Sequence, residues 1–141
     1  MNEINFFYRE EEYGWLSNFW RCWLKIDGNW YLTNEHYYQS KKPRNGEISD
    51  WIANAPTPYM AMCAGRALRE SDKDPEWEEK KVNIMLECLC MKFENPELRK
   101  KLLATGDAVI HEDSQTDMFW GKKGKDMLGK LLMQVREEIK E

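Results

Sequence analysis

The chain has 141 residues, 33% of them charged, a formal net charge of -4 and a mean hydropathy of -0.80. These values fit one domain with an ordinary core and exclude the basic footprint of a protein that grips phosphate backbones without regard to sequence. Aromatic residues at 13%, with seven Trp, exclude compositional disorder, and no apolar run approaches the roughly 20 residues of a membrane span.

The predicted elements begin with strands. Residues 4–8 form a short apolar run, and residues 22–27 and 30–32 flank Gly28-Asn29, a pair that predicts a β-hairpin. Between them YGWLSNFW, residues 13–20, is dense in aromatics and turn formers, which predicts a loop over a pocket or core. A first helix is expected over residues 35–42, capped by Thr33 or Asn34 and stopped by Pro43. Thr57-Pro58 opens a second helix to about residue 69, Asp74-Pro75 a third to about residue 93, and Asn95-Pro96 a fourth that ends before Gly106. Residues 108–112 read as a strand and residues 113–125 as an aperiodic loop. Leu128, Leu131, Leu132, Val135 and Ile139 then form one apolar stripe on a last helix. The expected fold class is α+β, mostly helical with a small N-terminal hairpin or sheet, in one domain over residues 1–141.

The N-terminus, MNEINFFYREEE, lacks the basic-then-apolar order of a signal peptide, so a cytoplasmic location is expected. Cys22, Cys63, Cys88 and Cys90 show no paired spacing and are expected to be reduced, small buried hydrophobes. His36 and His111 have no third ligand at metal spacing, no phosphate loop is present, and Ser17, Ser40 and Ser114 lack a nucleophile-elbow context. Metal and cofactor are therefore not expected, which leaves carboxylates, a lysine and aromatics.

Two segments bring those together. Glu35, Gln39 and Lys42 recur at i, i+4 and i+7, on one face of the first helix, with Tyr37 and Tyr38 free to anchor it elsewhere. Glu35 falls in the first turn, where the helix dipole favours a charged carboxylate. The same spacing describes an ordinary solvated turn. In DSQTDMFWGKKG, residues 113–124, Phe119 and Trp120 follow Asp117, and Gly121 and Gly124 permit close backbone approach to a ligand. An aromatic face beside a carboxylate suits a stacked heterocycle with a nearby sugar, although Trp120 filling a core gap fits equally.

In order along the chain, YGWLSNF, EHYYQSKK, PTPYMAMCAGR, KFENPELRKKLLATGD, DSQTDMFWG and LGKLLMQVRE make it resemble the YbiA/NADAR family over about residues 7–136. The resemblance implies an N-glycosidase. Its members cleave ribosylamino-pyrimidine phosphates, intermediates of riboflavin synthesis, or remove ADP-ribose from guanine in nucleic acid. It implies that Glu35, Lys42 and Asp117 are catalytic and that Trp120, Asn18, Phe19, Gln39, Arg66 and Gly121 bind substrate. The implied partner is a phosphorylated ribosyl small molecule, with ADP-ribosylated nucleic acid as the alternative and a non-catalytic ADP-ribose module as a third reading. The chain departs from the family in two places. Pro43 stands where an aromatic usually follows the lysine, with Lys41 adjacent, and Asp126 stands where Asn is usual. On this reading Glu35 and Asp117 divide stabilisation of an oxocarbenium-like sugar and protonation of the leaving nitrogen. Lys42 is positioned for a Schiff base with the ring-opened sugar, and Arg66 or the lysines near Lys122 for the phosphate.

Overall fold

Alternating burial along residues 3–6, with Ile4 and Phe6 inward, marks the first strand of the computed structural model, which describes residues 2–140. This strand, β1 (Glu3–Phe6), pairs in parallel with a strand far along the chain, Val109–Glu112, in the register Ile4 to Ile110 and Phe6 to Glu112. The other strands, β2 (Leu24–Ile26) and β3 (Asn29–Tyr31), form an antiparallel hairpin, so the distal strand is β4. Among the described residues five α-helices lie between β3 and β4, α1 (Asn34–Ser40), α2 (Gly46–Ala53), α3 (Pro58–Arg66), α4 (Trp77–Lys92) and α5 (Pro96–Ala104), and a sixth, α6 (Met127–Glu138), follows β4. The α+β class is as expected. The elements divide into two units, Met1–Trp20 with Lys92–Glu141, and Arg21–Met91.

In the first unit α6 packs on β4 through the expected stripe of Leu128, Leu131, Leu132 and Val135, all buried. Ile139 falls just past the helix as its C-cap. Arg136 ties α6 to the chain before β4, donating from Nη1 to Thr105 Oγ1 at 2.9 Å and to the Ala108 carbonyl at 2.8 Å. The aromatic stretch over residues 13–20, expected to cover a pocket or core, forms a 3-10 turn at Gly14–Leu16 that packs into the core. Trp15 and Leu16 are buried, and the Trp15 ring meets Phe93 edge-on at 6.3 Å. Dense aromatics there build core.

In the second unit the hairpin turns on Asp27-Gly28, one residue earlier than expected, with φ of 51° and 83°. Two successive positive φ values suit the right-handed strand twist, and Asp followed by Gly supplies them. Helix α1 starts where Thr33 Oγ1 accepts the His36 N–H at 3.1 Å. It ends two residues short of the expected Lys42. Pro43 then bridges antiparallel to Lys73, flanked by Asp74 N–H donating to the Lys42 carbonyl at 2.8 Å and Arg44 N–H to the Asp72 carbonyl at 3.0 Å. Proline stops the helix and sends the chain into this pairing.

Helix α2 was not anticipated. Its cap, Asn45, accepts the N–H groups of Glu47 and Ile48, but Gly46 follows directly and Ile52 is its one buried residue, so no apolar stripe announces it. Helix α3 keeps the expected Thr57 cap and Pro58 start but closes at Arg66, three residues early. The Tyr38 ring lies 5.1 Å from that of Trp77, the first residue of α4. Among the cysteines only Cys88 is buried; Cys22 is half-buried and Cys63 and Cys90 are exposed, contrary to expectation, because their helices turn those positions outward. Among the described residues, no helix is long and apolar enough to cross a membrane.

The Asn95 carboxamide accepts the N–H groups of Glu97 and Leu98 at 3.0 and 3.2 Å. Asn95→Ala removes both acceptors and is expected to lower unfolding stability by about 1 kcal/mol. Asn95→Asp keeps most of that stability, as chemical denaturation would show.

Candidate functional site

The residues singled out from the sequence fall into two sets, one in each unit.

In the second unit they gather on α1, and all seven residues of that helix are buried. Glu35 is 8% exposed and Gln39 is 4% exposed, so this is no solvated face. The Gln39 Nε2 donates to Glu35 Oε2 at 2.8 Å. Gln39, expected to contact substrate, is thus engaged with the carboxylate one turn away. His36 fills the next position. Its Nε2 lies 2.9 Å from the Ala55 carbonyl, which accepts only, so the proton sits on Nε2 and Nδ1 accepts the Thr33 hydroxyl at 2.8 Å. Burial holds its pKa below the ordinary histidine value, with the Ala55 bond opposing. Tyr37 donates its hydroxyl to Glu87, and burial together with that carboxylate pushes the phenol well above its usual range.

Lys42 follows the helix and is half-buried, its N–H still bonded to the Gln39 carbonyl at 3.2 Å. Burial depresses the pKa of its ammonium. Lys73 adds to that, Glu35 opposes it, and Arg66 and Lys81 depress it further. The adjacent Lys41 has another engagement, its ammonium 5.2 Å from the centre of the Tyr37 ring. The charge of Lys42 is thus coupled to Glu35. Arg66 is exposed in the last turn of α3. An apolar cleft of about 460 Å³ lies along α2 and α3, lined by Trp51, Pro56, Tyr59 and Met60, and none of the expected site residues lines it.

In the first unit, the loop after β4 is a chain of side-chain caps. Glu112 Oε2 accepts the Ser114 N–H at 3.1 Å. Ser114 Oγ accepts the N–H groups of Thr116 and Asp117 at 3.2 and 3.0 Å. Asp117 Oδ1 in turn accepts those of Phe119 and Trp120 at 2.9 and 2.8 Å. Asp117 therefore orients the backbone that carries Trp120. The Phe119 and Trp120 rings meet edge-on at 4.8 Å, and both are half-buried. Gly121 and Gly124 serve the loop itself: a Cβ on the first would stand 2.5 Å from the Asp117 carbonyl oxygen, and on the second 1.7 Å from that of Met118. Backbone crowding alone is enough to require glycine at both positions. Asn18 and Phe19 follow the 3-10 turn half-buried, where Phe19 N–H donates to Ser17 Oγ at 3.0 Å and the buried Lys92 Nζ donates to the Ser17 carbonyl at 2.9 Å.

Glu112 escaped the sequence reading. Burial raises its carboxyl to about 7, the Ser114 N–H opposes that, and the carboxylates of Asp117, Asp113 and Asp126 add to it. The one signal in the sequence was a Glu followed by two Asp within five positions, a density of acid that adds to the effect of burial. Asp126 adopts a left-handed φ of 54°, and its Oδ2 meets His111 Nδ1 at 2.5 Å.

The sequence matches the NADAR domain over residues 6–140. It is 38% identical to the N-glycosidase YbiA of Escherichia coli, across 96% of this chain and 88% of that protein. It is 33% identical to a riboflavin biosynthesis protein of Vibrio vulnificus, across 98% of this chain and 39% of that one. The NMR structure of the Escherichia coli YbiA superposes with a TM-score of 0.89 at 37% identity, over 98% of this chain and 84% of the other.

The raised Glu112 pKa sets a sign for stability. Its ionised form is the one the fold disfavours, so its stabilising contribution is complete below the ordinary carboxylate value and is lost as pH rises through about 7. Denaturation midpoints for wild type and Glu112→Gln at pH 5 and pH 8 are expected to show the wild type losing more stability with rising pH. Parallel pH dependences would refute the assignment.

Proposed function

The chain belongs to the NADAR family of N-glycosidases, and from that premise we propose that it hydrolyses a ribosylamino-pyrimidine phosphate to ribose 5-phosphate and a diaminopyrimidine. The observation that carries the reading is the buried Glu35 carboxylate, which accepts an amide N–H and acts electrostatically on a half-buried lysine. As the C1–N bond lengthens, positive charge grows on C1 and the ring oxygen, and a fixed carboxylate in a dry site stabilises it more than water does. The leaving nitrogen needs a proton. By the family resemblance Asp117 is the candidate donor, and in its own loop Glu112 is the group that retains a proton near neutral pH. Water adds to C1 and completes the hydrolysis, which requires no cofactor.

Trp120 and Phe119 offer ring faces to the base. In the alternative route the ring opens first. The Lys42 amine, whose proton burial and neighbouring cations loosen, adds to C1 of the open-chain imine, the aminopyrimidine leaves with its nitrogen protonated, and water hydrolyses the lysine Schiff base. In either route Arg66 is the counter-charge for the phosphate. The riboflavin biosynthesis protein among the relatives supports a riboflavin intermediate as substrate. The net charge of -4 favours a small metabolite over ADP-ribosylated nucleic acid.

Purified protein incubated with the pyrimidine substrate is expected to release free ribose 5-phosphate, with Glu35→Gln and Asp117→Asn each lowering kcat by about 10²-fold or more. Undiminished turnover in both variants would reject the residue assignment. Turnover of ADP-ribosyl-guanine alone would move the substrate to nucleic acid.

A further inference from the structure

We propose that Gln39 is a positioning residue for Glu35, its side-chain amide holding the carboxylate ionised and oriented, and that the missing side chain at Gly65 admits the amide. The inference rests on the catalytic reading of Glu35 given above.

Both side chains are buried on consecutive turns of α1, and an ionised carboxylate out of water is tolerated only with donors around it. Gln39 Nε2 is such a donor, at 2.8 Å. A hydrogen bond to the charged form of an acid favours that form. The other end of the amide explains why the group cannot swing away. Gln39 Oε1 is buried without a hydrogen-bond partner, and it lies where α3 passes α1. A Cβ on Gly65 would stand 1.9 Å from Oε1 and 2.7 Å from Cδ, so the amide is wedged between the Glu35 carboxylate and the α3 backbone.

The reversed amide is chemically distinct. It would bring Oε1 against Glu35 Oε2, two acceptors that share a hydrogen bond only when Glu35 carries a proton. The two orientations therefore predict opposite pH behaviour. Other titratable groups around this pair are His36, Tyr37 and Tyr38 on α1 itself, Glu47 and Asp50 of α2, Tyr59, Cys63 and Arg66 of α3, Tyr31 of β3, and Glu87 of α4, which accepts from Tyr37. With Lys42, Lys73 and Lys81 they are common to wild type and variants, so a change confined to the amide reports on the amide.

The experiment is the pH profile of kcat and KM for wild type, Gln39→Leu, Gln39→Glu and Gly65→Ala, with Glu35→Gln in parallel. In Gln39→Leu the acidic limb of kcat is expected to move to higher pH, a loss of about tenfold at pH 5.5 that shrinks toward wild type by pH 8.5, with KM changed less than about twofold. Gly65→Ala, which leaves Gln39 in place but displaces its amide, is expected to move the limb the same way. Gln39→Glu, which sets two carboxylates face to face, is expected to move it further. A limb that stays put, or moves to lower pH as the reversed amide requires, overturns the proposal. So does a rise in KM alone, the mark of a substrate contact, or an equal loss at every pH, the mark of a structural role. If Glu35→Gln is inactive while the limb of Gln39→Leu is unmoved, the positioning role alone falls. If Glu35→Gln keeps both its activity and its acidic limb, the catalytic reading of Glu35 falls with it.

Discussion

Helix α1 is buried at every position, yet five of its seven residues, Asn34, Glu35, His36, Gln39 and Ser40, are polar. A buried polar group without a partner costs about 1–3 kcal/mol, so packing around this helix is dictated by hydrogen bonds as much as by apolar area. Thr33 caps the helix and also holds His36, whose second nitrogen reaches the chain between α2 and α3 at Ala55. Ser40 Oγ returns its proton to the Tyr37 carbonyl at 2.8 Å, and Tyr37 reaches across to Glu87 on α4. Helices α2 and α3 pack against α1, where the Glu35 carboxylate lies buried with water largely excluded from it.

The loop after β4 solves a different problem by related means. It has no regular ladder, so its own side chains satisfy its backbone: Glu112, Ser114 and Asp117 each accept N–H groups two or three residues ahead. Asp117 is for this reason both a structural cap and a candidate acid. Its Oδ1 oriented by two N–H bonds is compatible with chemistry at the other oxygen, and a substitution there disturbs Trp120 as well as charge. Glu112, which starts the relay, pairs loop geometry with a carboxyl that titrates near 7.

How much of this was legible followed from where the physics was local. Helix starts at Thr33, Thr57 and Asn95 were readable because a capping side chain and a following Pro or Glu act within one turn. The α6 stripe was readable because its period repeats over a whole helix. Helix α2 was hidden by its single buried residue, Ile52, and the hairpin turn moved by one because Asp27 takes a positive φ as readily as Asn29 would. For the site, spacing alone put Glu35 and Gln39 on one face but could not separate a solvated face from a buried one. That depends on α2 and α3 arriving from elsewhere in the chain. The raised carboxyl at Glu112 likewise depends first on burial, which the acidic run around Asp113 and Asp117 does not announce.

The account centres on Glu35 as the carboxylate that meets developing charge at the anomeric carbon. A crystal structure of the protein with ribose 5-phosphate bound tests this most directly. The account predicts C1 of the sugar within about 3.5 Å of a Glu35 carboxylate oxygen, the distance expected of a group acting on the reacting atom. A sugar seated instead in the apolar cleft of Trp51 and Tyr59, remote from that carboxylate, would contradict it.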